Sequence, residues 1–319
     1  MQLPAQLRHA IEDETAQCNQ KTLSQAASEL SDSYRTRRSP FISTDAHRLA
    51  YVATRLPATF AATHAVFSEI RRLLPDQSIK TLLDLGAGPG TASWSATTVF
   101  AELEHITLIE QDNGLISTGK SLAQSGNNDR VANATWTRAD LRDTPPFLPH
   151  DLVVSSYALG ELDLNTSREI LQKAWSSTQT ALAIIEPGTV VGFERVRQLR
   201  DELIALGGHI IAPCPHHETC PIAANDWCHF SQRVDRSSQH RRMKSGTLSY
   251  EDEKFAYIVA TKHPAPPTQA RVLRHPTRHS GHTHLSLCTT DGIVETTITR
   301  SDKKNWKRVR KINWGDAWL

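Results

Sequence analysis

Apolar residues recur at helical spacing through the first quarter of the chain, then give way to short apolar blocks. Ala5 to Cys18, Thr22 to Arg35 and Asp45 to Ser68 each carry the repeat of a helix with one buried face. Pro57, inside the stretch Tyr51 to Thr59, is expected to break or kink the last of these. Residues 1–76 therefore predict a helical cap. From Lys80 the pattern alternates. Strands are expected around Leu82, at His105–Glu110, near Trp136, at Asp151–Ser155, at Ala181–Gly188 and at Gly208–Ala212. Helices over Ala92–Leu103, Gly114–Ser125, Ser167–Thr178 and Val191–Leu206 separate them. Such alternation implies an α/β domain whose parallel sheet is covered on both faces, over residues 77–263. Lys254–Ala260 reads as a last, antiparallel strand, which makes 213–250 an insertion. Beyond Pro264–Pro267, the runs Arg271–Arg274, His282–Cys288, Ile293–Arg300 and Trp306–Ile312 predict a small β-rich unit over 264–319.

Ligands in sheets of this kind sit beyond the carboxyl ends of the strands. There the first strand leads into Asp84-Leu-Gly86-Ala87-Gly88-Pro-Gly90. Glycines at alternate positions let the backbone approach a ligand, and the helix that follows offers free N–H groups. The turn lacks the Gly-Lys-Ser/Thr ending of a phosphate loop, and its third glycine comes too early for the dinucleotide fingerprint. It resembles the first motif of class I S-adenosylmethionine methyltransferases. Glu110 ends the second strand, where a carboxylate can accept hydrogen bonds from ribose hydroxyls. Asp140 follows the third, within reach of an adenine amino group. The cofactor candidates are thus Asp84, Gly86, Ala87, Gly88, Gly90, Glu110, Asp140 and Ser155. Ser156 and Tyr157 are the acceptor-facing candidates. Neither an Asn-Pro-Pro-Tyr motif nor a Pro-Cys nucleophile is present, and no catalytic base is named.

Cysteine usage changes the picture next. Cys214, Cys220 and Cys228 are spaced C-x5-C-x7-C, and Cys288 lies far downstream. Clustered thiols in a reducing compartment point to metal rather than disulfides. Four thiolates suit a [4Fe–4S] cluster or a structural zinc. The intervals, the prolines after Cys214 and Cys220, and the aromatic residues around Cys228 favour the cluster. His216, His217 and His229 stay open as zinc ligands. On either reading the metal is structural and fixes a surface with little core of its own.

Charge adds one more element. The chain has 319 residues and a formal net charge of +2, which does not announce a nucleic-acid binder. Between Pro264 and Ile312, however, ten cations face three anions. Arg271, Arg274, Lys307, Arg308 and Arg310 there, with Arg233, Arg236, Arg241, Arg242 and Lys244 in the insertion, form either a solvated surface or a patch for an RNA backbone. No apolar run is long enough to cross a bilayer, and no membrane or DNA partner is expected. With no cleavable apolar core or Arg-rich presequence near the start, a cytoplasmic setting is expected.

The segments Tyr51–Thr59, Leu83–Ala92, Pro213–Pro221, Asp226–Arg233, Tyr250–Tyr257, Gly281–Gly292 and Trp314–Asp316 together resemble a known family. It is the family of methyltransferase-like small-subunit ribosome proteins and assembly factors, found in mitochondria and also in bacteria. The resemblance implies an S-adenosylmethionine-type fold acting on, or docked to, small-subunit rRNA or the subunit's precursor. It also implies a [4Fe–4S] cluster on Cys214, Cys220, Cys228 and Cys288. Two functions follow as expectations: an RNA methyltransferase, or a non-catalytic assembly platform on the same fold.

Overall fold

In the computed structural model, residues 1–35, 42–244, 247–265 and 268–318 are described. Pro266 and Pro267 of the expected linker lie outside them. The chain opens with α1 (Ala5–Ala16), α2 (Gln20–Arg35), α3 (Asp45–Thr54) and α4 (Leu56–Leu73). Thr44 starts α3 by accepting the His47 N–H at 3.2 Å. Pro57 falls in the first turn of α4, where a missing N–H costs nothing. In a continuous helix its ring would strike the carbonyl four residues back. The helix expected over Asp45–Ser68 is therefore two, and the second runs on to Leu73.

Next come β1 (Thr81–Leu85), α5 (Thr91–Val99), β2 (His105–Glu110), α6 (Asn113–Ser125), α7 (Asp129–Ala132) and β3 (Thr135–Arg138). They are followed by β4 (His150–Ser156), α8 (Leu164–Ser177), β5 (Thr178–Pro187), α9 (Val190–Ala205) and β6 (His209–Ala212). The insertion adds β7 (Phe230–Asp235) and α10 (Ser238–Met243) before β8 (Tyr250–Thr261). The sheet order is β3-β2-β1-β4-β5-β8-β6. The first five of these strands are parallel, and β8 runs antiparallel to both its neighbours. β7 was not expected. It pairs with the first half of β8, so the insertion extends the main sheet instead of hanging from it.

Side chains leave a strand on alternate faces, and the sheet uses both. Leu82, Leu108, Val154 and Ala183 pack with α3, α4 and α5. Leu83, Ile109, Val153 and Ile184 pack with α8 and α9. The helices of residues 1–76 thus cover one face of the sheet.

The remaining elements are β9 (Ala270–Val272), β10 (Thr277–Arg278), β11 (His282–Thr289), β12 (Gly292–Thr299), α11 (Lys303–Val309) and β13 (Ala317–Trp318). The strands make a second sheet, ordered β10-β11-β9-β13 with β12 on β11. Trp306–Ile312, expected as a strand run, begins inside a helix instead. Asp302 caps it by accepting the Asn305 N–H at 3.1 Å, and apolar residues at 306, 309 and 312 keep helical spacing. Six buried apolar side chains form a small core within this unit, and Leu273 and Cys288 are buried in the main sheet's cluster.

A buried arginine adds a polar tie. Arg271 on β9 is 2 % exposed and donates to Glu69 Oε1 of α4 at 2.6 Å. Its other nitrogens hold the carbonyls of Pro213 (3.1 Å) and Gly315 (2.9 Å). One guanidinium therefore joins the helical cap, the start of the cysteine loop and the C-terminal unit. Arg271 is corrected from an RNA-binding candidate to a structural cation. Glu69 also holds Arg72 at 2.7 Å, so removing Arg271 leaves that carboxylate paired but takes the donor from the Pro213 and Gly315 carbonyls. Arg271→Met should lower urea stability by about 1–3 kcal/mol, while Arg310→Met, at an exposed position, should leave it unchanged. Equal midpoints for the two variants would contradict the clamp.

Candidate functional site

β1 ends in the glycine turn, and Gly86, Gly88 and Gly90 all hold positive φ (+74°, +54° and +79°). A Cβ at Gly86 would come within 2.4 Å of the Ala158 Cβ, so packing alone demands glycine there. Gly88 differs. A Cβ at that position meets only the Tyr51 hydroxyl, at 4.0 Å, so the backbone borders open space. The N–H groups of Gly86 and Ala87 are taken by the Ile109 carbonyl (2.9 and 3.0 Å), which ties the turn to β2. Glu110 completes the tie. Its carboxylate accepts the Gly88 N–H at 2.9 Å and the Asp112 N–H at 2.7 Å. Asp112 in turn caps α6 and pairs with Arg48 of α3 at 3.1 Å, bringing the helical cap to the rim.

Asp84 lies under this turn, 1 % exposed, and its Oδ2 has no hydrogen-bond partner. Burial and the nearby Glu110 charge push its carboxyl up to about 8. Glu110 itself is raised by burial, which outweighs the N–H groups it accepts. Glu161 is pushed up to about 7 by lost hydration of its carboxyl and by Glu110. Glu186, at the end of β5, reaches about 8 through burial, with its Oε1 accepting the Gly160 N–H at 2.8 Å. Three buried carboxyls, Asp84, Glu110 and Glu186, thus stand at the carboxyl edge of the sheet, with Glu161 exposed beside them. An orphaned acid here calls for a cation.

Other candidates are placed less centrally. Asp84 pairs in register with Val154, and Leu85 with Ser155, so Asp84 and Ser155 leave opposite faces of the sheet. The Ser155 hydroxyl is buried without a partner. Asp140 is engaged by Arg142, through both its backbone N–H (3.0 Å) and its guanidinium. The Ser156 hydroxyl lies 3.2 Å from that of Thr63. Tyr157, at φ +60°, donates its hydroxyl to Glu253 at 2.9 Å. Glu161 and Glu186 escaped sequence reasoning. Glu186 stood at a visible strand end, but its burial was not legible; Glu161 lies exposed in the short turn Leu159–Glu161.

The four cysteines converge between β6, β7 and β11. Cys214, Cys220 and Cys228 are half-buried and Cys288 is buried, all against the same apolar cluster. Each lies close enough to another thiol to feel its charge. Burial raises the Cys214 and Cys228 thiols and pushes Cys288 up to about 12. Ligation would have to displace those protons. The buried guanidiniums of Arg200 and Arg271 favour the thiolates. Arg200 also folds the loop, donating to the carbonyls of His216 (3.0 Å) and Glu218 (2.7 Å). Of the candidate histidines, His216 adjoins a thiol, with Nε2 3.6 Å from Cys288 Sγ. His217 Nε2 instead accepts the Ile210 N–H (2.9 Å), and His229 stacks on Trp227.

The cationic candidates divide. Arg241, Arg242, Lys307 and Arg310 are exposed. Arg233 is exposed but paired with Asp252 (2.8 Å) and lies over the Tyr250 ring. Arg236 and Lys244 converge on Glu251, Arg274 pairs with Asp226, and Arg308 lies over the Trp318 ring. The free positive face is thus smaller than the residue count implied.

The sheet order, with its one antiparallel strand and glycine turn after β1, defines a protein of the class I methyltransferase fold. Residues 45–319 match the family described as mitochondrial small ribosomal subunit Rsm22. The chain belongs to that family. It is 28 % identical over 296 residues to the human protein named "Ribosome assembly protein METTL17, mitochondrial", covering 86 % of this chain and 62 % of that one. It is 23 % identical over 329 residues to the Rsm22-cox11 tandem protein 2, mitochondrial, of Schizosaccharomyces pombe, covering 86 % and 43 %. The chain thus spans less than two thirds of the length of these curated relatives. Among solved structures, magnesium protoporphyrin IX methyltransferase from Synechocystis PCC 6803 superposes with a TM-score of 0.44 at 10 % identity, covering 73 % and 93 %. The cytoplasmic setting expected from the opening residues is overturned, because the human and both fission-yeast relatives are named mitochondrial. No helix among the described residues is long and apolar enough to cross a membrane.

The raised carboxyls fix a pH dependence. Below about pH 4 they are protonated in both the folded and the unfolded chain. Between about 4 and 8 the unfolded chain loses protons that folded Asp84 and Glu186 keep, so stability falls as pH rises through that window. Thermal unfolding of the ligand-free chain should show this decline, and Asp84→Asn should flatten it. A variant with the unchanged slope would contradict the assignment.

Proposed function

We propose that this chain is an S-adenosylmethionine-dependent methyltransferase directed at small-subunit rRNA in assembling subunits, with a structural [4Fe–4S] cluster. The observation that carries the reading is the unpartnered Asp84 oxygen amid buried carboxyls, directly beneath a glycine turn with an open side at Gly88. S-adenosylmethionine is cationic at its sulfonium and its ammonium, and it supplies an electrophilic methyl group. Asp84 would hold positive charge, the Gly86–Gly90 backbone would pass beneath the ligand, and Glu110 would accept from ribose hydroxyls. The name of the human relative supports ribosome assembly as the setting. The exposed cations of α10 and α11 supply the face for an RNA backbone.

For the thiol site, the donor set supports a cluster. Zinc on four thiolates needs sulfurs about 3.8 Å apart, from bonds near 2.3 Å. The four thiols pack against one apolar cluster, with Arg200 and Arg271 favouring their thiolates, and a cubane takes four such donors.

A second reading has its own support. Ser156 and Tyr157, the groups expected beside an acceptor, are engaged by Thr63 and Glu253. On that reading the fold is a platform without turnover. Labelled-methyl transfer to immature small subunits separates the two, since only the enzyme transfers label.

Calorimetry with S-adenosylmethionine should show binding that Gly88→Arg abolishes, because the added side chain enters the open side of the turn. No heat from the wild type would sink both the cofactor and the enzyme. Anaerobic purification should yield a brown protein with iron and sulfide near four each per chain, as the cubane requires. A colourless protein with one zinc would replace the cluster.

A further inference from the structure

The hairpin that closes the small sheet carries three histidines away from both sites described above. β10 and β11 meet in a turn closed by the His279 N–H on the His282 carbonyl, at 2.9 Å. His282 and His284 alternate with Thr283, which is 1 % exposed, so the two histidines share the outer face. His279 joins them from across the turn. The ring centroids lie 4.5 to 5.8 Å apart. One ring nitrogen from each histidine lies within 4.8 Å of the others. His279 and His284 are exposed and His282 is half-buried, so an ion would reach the group from solvent.

A fourth residue orients one ligand. Thr297 pairs directly with His284 across β11 and β12. Its hydroxyl lies 2.6 Å from His284 Nδ1, which leaves Nε2 for a ligand. Partners of this kind fix the tautomer and direction of metal-bound imidazoles. Arg278 is turned away, with its guanidinium on the Ile312 carbonyl.

We propose that His279, His282 and His284 form a surface site for a borderline divalent transition metal, zinc first, with a fourth position open to solvent. Imidazole donors select zinc, nickel or copper over magnesium and calcium, which take oxygen. Zinc–nitrogen bonds of about 2.0–2.1 Å require donors about 3.3 Å apart. Drawing the nitrogens together takes only side-chain rotation at exposed rings. The bound ion would clip the β10–β11 turn to β11 and stiffen the edge of a unit that has little core.

The test uses the full chain, purified with its thiol site loaded, washed with a mild chelator and titrated with zinc chloride. One zinc should bind. His279→Ala and His284→Ala should each weaken it by at least about tenfold, and Thr297→Val by roughly tenfold. His275→Ala, an exposed histidine of the same unit, should leave affinity unchanged, and circular dichroism should be alike for all variants. X-ray absorption of the zinc-loaded chain should show nitrogen or oxygen neighbours at about 2.0–2.1 Å and no sulfur at about 2.3 Å. Sulfur neighbours would place the ion on the cysteines and overturn the site. So would affinity that the histidine substitutions do not change, or no binding at all, which would leave the rings as a simple stack.

Discussion

One buried guanidinium decides how this molecule is put together. Arg271 stands on a strand of the small sheet, yet its hydrogen bonds reach a helix of the N-terminal cap and the carbonyl just before Cys214. The small sheet has six buried apolar side chains in a core of its own and adds Leu273 and Cys288 to the main one. A charge taken out of water must keep all its partners or be very costly, so the clamp is close to all-or-none. Cys288 lies directly opposite Arg271 across β9 and β11, so the clamp also sets where the last thiol points. The same residue that fixes the basic unit therefore fixes the cysteine array.

At the other end of the sheet, charge works in the opposite sense. Asp84, Glu110 and Glu186 are buried, the Asp84 Oδ2 has no partner, and the Glu110 charge raises Asp84 further. Such an arrangement costs stability at neutral pH and persists only where something is gained from it. A positively charged ligand lying on the glycine turn would relieve it.

Much of this was legible in the chain. Glycine at alternate positions after an apolar strand has few physical causes, and Asp84 stood where the strand ended. The strand–helix alternation gave the sheet and its antiparallel member. What could not be read depended on partners far apart. Glu69 and Arg271 are 202 residues distant, and an arginine flanked by apolar residues looks the same whether its strand faces water or the core. β7 was hidden inside a segment whose charges suggested surface. Trp306–Ile312 was misread because three apolar residues at intervals of three were taken for strand alternation, though the spacing belongs to a helix and Asp302 announced its start.

The Arg271 hydrogen bonds and the converging cysteine loop join the basic unit to the methyltransferase fold. Hydrogen exchange on the anaerobically purified chain, before and after treatment with a chelator, tests this most directly. The account predicts that stripping exposes amides of 213–228 and 270–289 while β1, β4 and β5 stay protected. Uniform loss of protection across the main sheet, or no change at the cysteine loop, would contradict it.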